Sequence, residues 1–250
     1  MIVRAAICPS PPLLAGELTG RAEILPDLRD ASAAAAAHLL AADPDVVAVV
    51  GGAQETATWD PEDRLDLSAY AAGYAPSPAG GPAGGAAAAD APAAGPSTTG
   101  SRGKPVLPLA VGIGALLLDE AGYAGPRILQ AVDESAPADA CLRLGRDLAV
   151  ASPRVALLAV GDGSARRGVK APGYLDERAI QFDDAVQRAV REGDMAALAG
   201  LDPDLARDLM ATGRAAWQVL AGAFAGARPA AEIRYAGDPF GVAYLVALLG

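Results

Sequence analysis

The stretch RVALLAVGDGSARR, residues 154–167, decides the fold. Val155 to Val160 are apolar without interruption, and the run ends in Gly161-Asp162-Gly163-Ser164. A strand with one wet face alternates apolar and polar residues. An unbroken apolar run instead predicts a strand covered on both faces, as in a parallel sheet. A proline-glycine loop follows, then the amphipathic segment DERAIQFDDAVQRAVREGD (176–194). The glycine-rich loop therefore stands at the carboxyl end of a strand, where α/β folds gather ligands.

Working outward, DVVAVVGG (45–52) is a second buried strand and MIVRAAIC (1–8) a first, stopped by prolines at 9, 11 and 12. Between them LPDLRDASAAAAAHLLAA (25–42) reads as a helix, with Asp27 and Asp30 in the first turn where the macrodipole favours anions. Strand, helix, strand predicts a right-handed βαβ unit with parallel strands. VLPLAVGIGALLLDEAG (106–122) reads as a buried helix whose Gly112 and Gly114 permit close packing. GPRILQAVDES (125–135) reads as a strand and APADACLRLGRDLAVAS (136–152) as an amphipathic helix. In the 176–194 helix, Ile180, Phe182, Val186, Ala189 and Val190 mark the inner side, and Glu192-Gly193-Asp194 the stop. Pro203 to Phe224 carries one or two more helices, and AAEIRYAG (230–237) and GVAYLVALL (241–249) close the chain as strands. The alternation predicts a single α/β domain over 1–250, with a mostly parallel central sheet flanked by helices on both faces. Residues 76–104 are almost wholly Pro, Gly, Ala, Ser and Thr, and read as a disordered insertion in a surface loop, because they have too little to bury to offset their ordering entropy.

Charge removes several functions. The formal net charge is −10 with no basic run, which excludes an extended nucleic-acid interface and disfavours an anionic membrane. No apolar run approaches the roughly 18 residues of a membrane span, and the first apolar stretch is too short for a signal peptide. Cys8 and Cys141 lie far apart with no CxxC, so both are expected reduced and buried in a cytoplasmic protein.

Five stretches, in order, resemble the class III extradiol ring-cleavage dioxygenase B-subunit (LigB-like) superfamily, with Memo-type proteins as relatives. ICPSPPLL (7–14) resembles the first P-H-P-P loop and VVAVVGGAQ (46–54) the second strand with its S-P-H-G loop. LLAVGDGSARR (157–167) resembles the G-D-x-S-H segment, and APGYLDERAIQFDDAVQRAVREGD (171–194) the F-D helix after it. DPFGVAYLVALL (238–249) is similar to the closing P-F-G-V-G-Y strand. The resemblance implies a non-haem Fe(II) site in which two histidines and a carboxylate hold the metal on one face. A further histidine then moves the proton of a bound catechol.

This chain departs at each of those points. The first-loop histidine falls on Ser10, the second on Ala53 or Gln54, and the acid/base histidine on Ala165. No carboxylate stands in TGRAAW (212–217), where the resemblance implies one, and the lone histidine, His38, lies inside the alanine-rich helix. Neutral hydroxyl and amide oxygens hold Fe(II) poorly without imidazole or carboxylate to anchor the ion. No cofactor is therefore expected, and the chain reads as a non-catalytic LigB-like protein, a small-molecule- or partner-binding module.

The candidate pocket is Ser10, Gln54, Glu55, Asp162, Ser164, Ala165 and Arg166, which would take a small polar or aromatic molecule. Each has a plainer role: Ser10 satisfying turn backbone, Asp162 and Ser164 capping the loop, Arg166 and Arg167 solvated on the surface. Two alternatives stand beside this reading. One is an enzyme with a rearranged site using Asp162, Glu55 or Cys8, although a strand cysteine without a neighbouring histidine is more often a small buried hydrophobe. The other is a structural or interaction subunit with a filled pocket, and the resemblance leaves room for a homodimer. The acidic group Asp60, Glu62 and Asp63 lacks EF-hand spacing and reads as a solvated loop.

Overall fold

The structure is a computed structural model that describes residues 1–19, 24–70 and 106–250. The low-complexity segment 76–104 lies outside the described residues. In chain order the elements are β1 (Ile2–Cys8), α1 (Gly16–Thr19), α2 (Pro26–Leu40), β2 (Val46–Ala53), β3 (Ala57–Trp59), α3 (Leu109–Glu120), β4 (Arg127–Asp133) and α4 (Ala138–Ala149). They continue with β5 (Val155–Val160), α5 (Arg178–Arg191), α6 (Met195–Ala199), α7 (Pro203–Asp208), α8 (Arg214–Phe224), β6 (Ala231–Gly237) and β7 (Tyr244–Leu249).

One seven-stranded sheet runs β3-β4-β2-β5-β1-β7-β6. Its centre, β4-β2-β5-β1, is parallel, as unbroken apolar runs demand. Every residue of β5 is buried, as are Val46 to Gly52 in β2. The edges depart from expectation. β3 pairs antiparallel with β4, β7 antiparallel with β1, and β6 antiparallel with β7, so the sheet is mixed rather than mostly parallel. The closing hairpin explains one side, since strands joined by a short turn must run opposite ways. β3 was not anticipated because three residues show no periodicity.

Helices cover both faces. On one, α2 and α3 pack Leu28, Leu39, Ile113 and Leu118 against Val47, Val49 and Leu158. On the other, α4 to α8 pack Phe182, Leu209, Trp217 and Leu220 against Val50, Leu157 and Ala159. Helices α4 and α8 touch backbone to backbone: a Cβ at Gly145 would sit 2.0 Å from the Val219 carbonyl oxygen, and one at Gly222 2.3 Å from that of Leu142. Ile180 is corrected from the inner face to the surface, at 47% exposed. The helical period carries the inner stripe through Ala179, Phe182, Val186 and Val190 instead, one position off.

Candidate functional site

The carboxyl ends of β1, β2, β4 and β5 and the start of α8 meet at one end of the sheet. Beyond Cys8, the Ser10 N–H donates to Asp162 Oδ1 at 2.7 Å, and the Gly161 N–H donates to the Cys8 carbonyl at 3.0 Å. The Asp162 N–H donates to Thr212 Oγ1 at 3.1 Å, and its carbonyl accepts from the Gly213 N–H at 2.8 Å. One aspartate thus ties the first loop, the β5 loop and the entry to α8. Burial pushes the Asp162 carboxyl up to about 6, against hydrogen bonds from the Ser10 backbone and hydroxyl that pull it down.

A second carboxyl stands beside it that the sequence did not bring forward. Glu134, just past β4, is pushed above the usual range by desolvation and by the charges of Asp133 and Asp162, while Arg214 pulls it back. A Cβ at Gly52 would lie 2.9 Å from Glu134 Cγ and Oε1 and from the Thr212 carbonyl, so the end of β2 is packed against both. Arg214, 1% exposed, holds the loop beneath: Nη1 donates to the Ala136 carbonyl at 2.6 Å and to Gln218 Oε1 at 2.8 Å, and Nη2 to the Glu134 carbonyl. An acidic residue just past a parallel strand was the available signal for Glu134. TGRAAW does reach the site, through the Thr212 hydroxyl rather than a carboxylate.

Ser164 faces inward. Its N–H and Oγ donate to Asp183 Oδ1 and Oδ2 at 2.9 and 2.5 Å, and Arg167 Nη1 adds a third donor to Oδ2 at 3.2 Å. Arg167 Nε reaches Asp238 Oδ2, 2.6 Å away, in the β6–β7 turn. Arg167 is therefore corrected from a solvated arginine to a partly buried bridge. Burial raises the Asp183 carboxyl, and Ser164 and Arg167 oppose the rise. The loop is further bolted down by Gly163 N–H to Ala243 O and Ala243 N–H to Ser164 O, both 2.8 Å.

The remaining candidates do not converge on this cluster. Gln54 and Glu55 are exposed beyond β2, and Ala165 is 8% exposed with its N–H on the Leu209 carbonyl. Arg166 has its Nε buried without a partner, beside Gly173. Cys8 is fully buried, and desolvation pushes its thiol up to about 12, which removes it as a nucleophile. His38, on α2, has its Nε2 3.1 Å from the Leu249 carbonyl at the end of β7. Asp60 and Asp63 serve their own turn, accepting from the Glu62 and Asp60 N–H groups.

Among the described residues no three His, Cys, Asp or Glu side chains stand together in a way that could hold a metal ion. The donor set at the strand ends, two carboxyls with serine and threonine hydroxyls, does not fit the two-histidine, one-carboxylate Fe(II) site. A cavity of 350 Å³ lies elsewhere, along α3 and residues 61–67, with Arg64, Asp119, Glu120 and Arg127 in its walls. No helix of the described residues is long and apolar enough to cross a membrane.

No protein-family model matches the chain, and no curated protein does. Among solved structures it is similar to an uncharacterized protein from Escherichia coli K12, at 17% identity over 98% of each chain, with a TM-score of 0.50. That likeness carries the α/β fold and nothing about activity.

Proposed function

We propose that this chain is a LigB-like scaffold that has lost Fe(II) chemistry and serves as a partner-binding module. One observation carries the reading: the positions matching the family's imidazoles are either folded into the protein or turned away. Ser10, 5% exposed, spends its N–H on Asp162; Ala165 is buried on backbone bonds; Gln54 faces solvent. What stands at the strand ends is Asp162, holding the Ser10 N–H, with the exposed Glu134 carboxyl beside it. The free, buried Cys8 and Cys141 suit a reducing compartment, and we read the protein as cytoplasmic.

The test is anaerobic reconstitution with Fe(II) followed by oxygen uptake with protocatechuate and simple catechols. The account expects no uptake above free iron; sustained turnover would refute it. A second reading, a site for a small polar molecule, is favoured by the Asp162–Glu134 pair, because carboxyls held above their usual range concentrate at working sites. A thermal-shift screen against metabolites separates the two, since a ligand bound only by the folded state raises its apparent stability.

A further inference from the structure

The cavity along α3 stands apart from the strand ends, and the segment that walls it is held by its own hydrogen bonds. The Asp63 N–H donates to the Asp60 carbonyl at 2.9 Å, and the Asp60 N–H to Asp63 Oδ2 at 3.1 Å, closing a turn. The residues after it lie along the helix. The Leu107 N–H donates to the Arg64 carbonyl at 3.2 Å, and Leu65 rests on Gly112, where a Cβ would meet its Cδ1 at 2.6 Å. The hollow left between them, 350 Å³, falls at the lower end of the usual size for small-molecule sites. Leu65, Leu67, Leu107 and Leu116 give it an apolar floor.

Two charges in its walls, Arg64 and Glu120, form no ion pair among the described residues. Arg64 Nη1 donates only to the Pro61 and Asp63 carbonyls, at 3.3 and 3.2 Å, which leaves Nε and Nη2 for another acceptor. Asp119 and Glu120 close α3, where the macrodipole disfavours anions and no basic residue stands in the last turn. Arg127 answers Asp119 at 2.7 Å. Glu120 has no such partner: burial pushes its carboxyl above the usual range, opposed at longer range by Arg29, which donates to the Leu13, Leu14 and Ile24 carbonyls. Arg64 also lines a second hollow, with Asp119 and Arg127, that Glu120 does not border, so the unpaired cation and anion stand apart along the leucine floor. Opposite charges that share a hollow without closing on one another leave room for a molecule carrying both.

We infer that this hollow binds a small zwitterion with an apolar arm, the chemistry of a free aliphatic α-amino acid. Its carboxylate meets Arg64, its ammonium meets Glu120 at the end of α3, and its arm lies over the leucine floor. A plain anion would answer Arg64 but meet the repulsion of Asp63, Asp119 and Glu120 in the same walls. A plain cation would leave Arg64 unanswered. Neither would use the floor. The hollow contains none of the positions that match the family's imidazoles, so the inference stands independently of the loss of Fe(II) chemistry.

Equilibrium dialysis of the full chain against labelled L-leucine, carried to roughly 10 mM so that millimolar affinities register, reads the binding directly. Saturable binding is expected. Leucinamide, N-acetyl-leucine and glycine lack the carboxylate, the ammonium charge and the arm in turn. Each should compete at least about tenfold more weakly than leucine, the scale of one charged hydrogen bond. In Arg64→Ala, leucine should weaken by a similar factor and then compete no better than leucinamide. In Glu120→Gln, leucine and N-acetyl-leucine should likewise become alike. Both side chains are exposed, so the two variants keep the fold, as an unchanged Tm would verify. No saturable binding of leucine, leucinamide or N-acetyl-leucine competing as well as leucine in the unaltered chain, or binding indifferent to Arg64→Ala would each overturn the inference.

Discussion

Asp162 fastens three segments while staying partly protonated near neutrality, and that combination has a signed consequence. The folded chain holds its proton up to about pH 6, whereas an unfolded aspartate releases it near 4. Between those values the folded state binds more protons, so this group's contribution lowers stability as pH rises from about 4 to 6 and stays unfavourable above. Asp162→Asn keeps an oxygen for the Ser10 N–H without the buried charge. Urea unfolding across this range should show a flatter pH dependence for the variant, leaving the shares of Glu134 and Asp183, and no loss of stability at pH 7. An unchanged or steeper dependence would mean that burial does not hold the Asp162 carboxyl above its ordinary range. Ser164 makes a different prediction. Its hydroxyl ends on Asp183 inside the protein, so Ser164→Ala should cost about 1.5–3 kcal/mol in chemical denaturation, the range for a hydrogen bond to a charged group. An unchanged midpoint would show that Asp183 is served by Arg167 and backbone alone.

At the scale of elements, the α4–α8 contact is set by backbone approach. Gly145→Ala places a methyl against the Val219 carbonyl and should destabilise the fold by about 1–3 kcal/mol, read from the denaturant midpoint at unchanged m. A neutral result would mean the helices part freely. The central strands were legible because continuous apolar runs have few other uses: 45–52 and 154–160 became β2 and β5 with their neighbours parallel. The edges were less so. β3 is too short to show a pattern, and the placing of β7 beside β1 is a pairing decision that its own residues do not state. Ile180 misled because a count of apolar residues ignores the 100° step that puts Ala179 inward. For the site, Asp162 and Ser164 were legible as loop-capping groups. Glu134 and the Asp183 anchor were not, since their importance arises only when separate segments close on them.

At the scale of the whole molecule, the architecture is an α/β sandwich whose strand ends bring together carboxyls and hydroxyls, with no imidazole among them. The fold likeness to the Escherichia coli protein extends over nearly all of both chains at low identity, so a shared framework says little about shared chemistry. The most direct measurement is the transition-metal content of protein purified without chelator, taken per chain after dialysis. The account predicts iron, zinc and manganese all far below one equivalent. A full equivalent of any of them, lost on replacing Asp162 or Glu134 with alanine in a chain that stays folded, would contradict it.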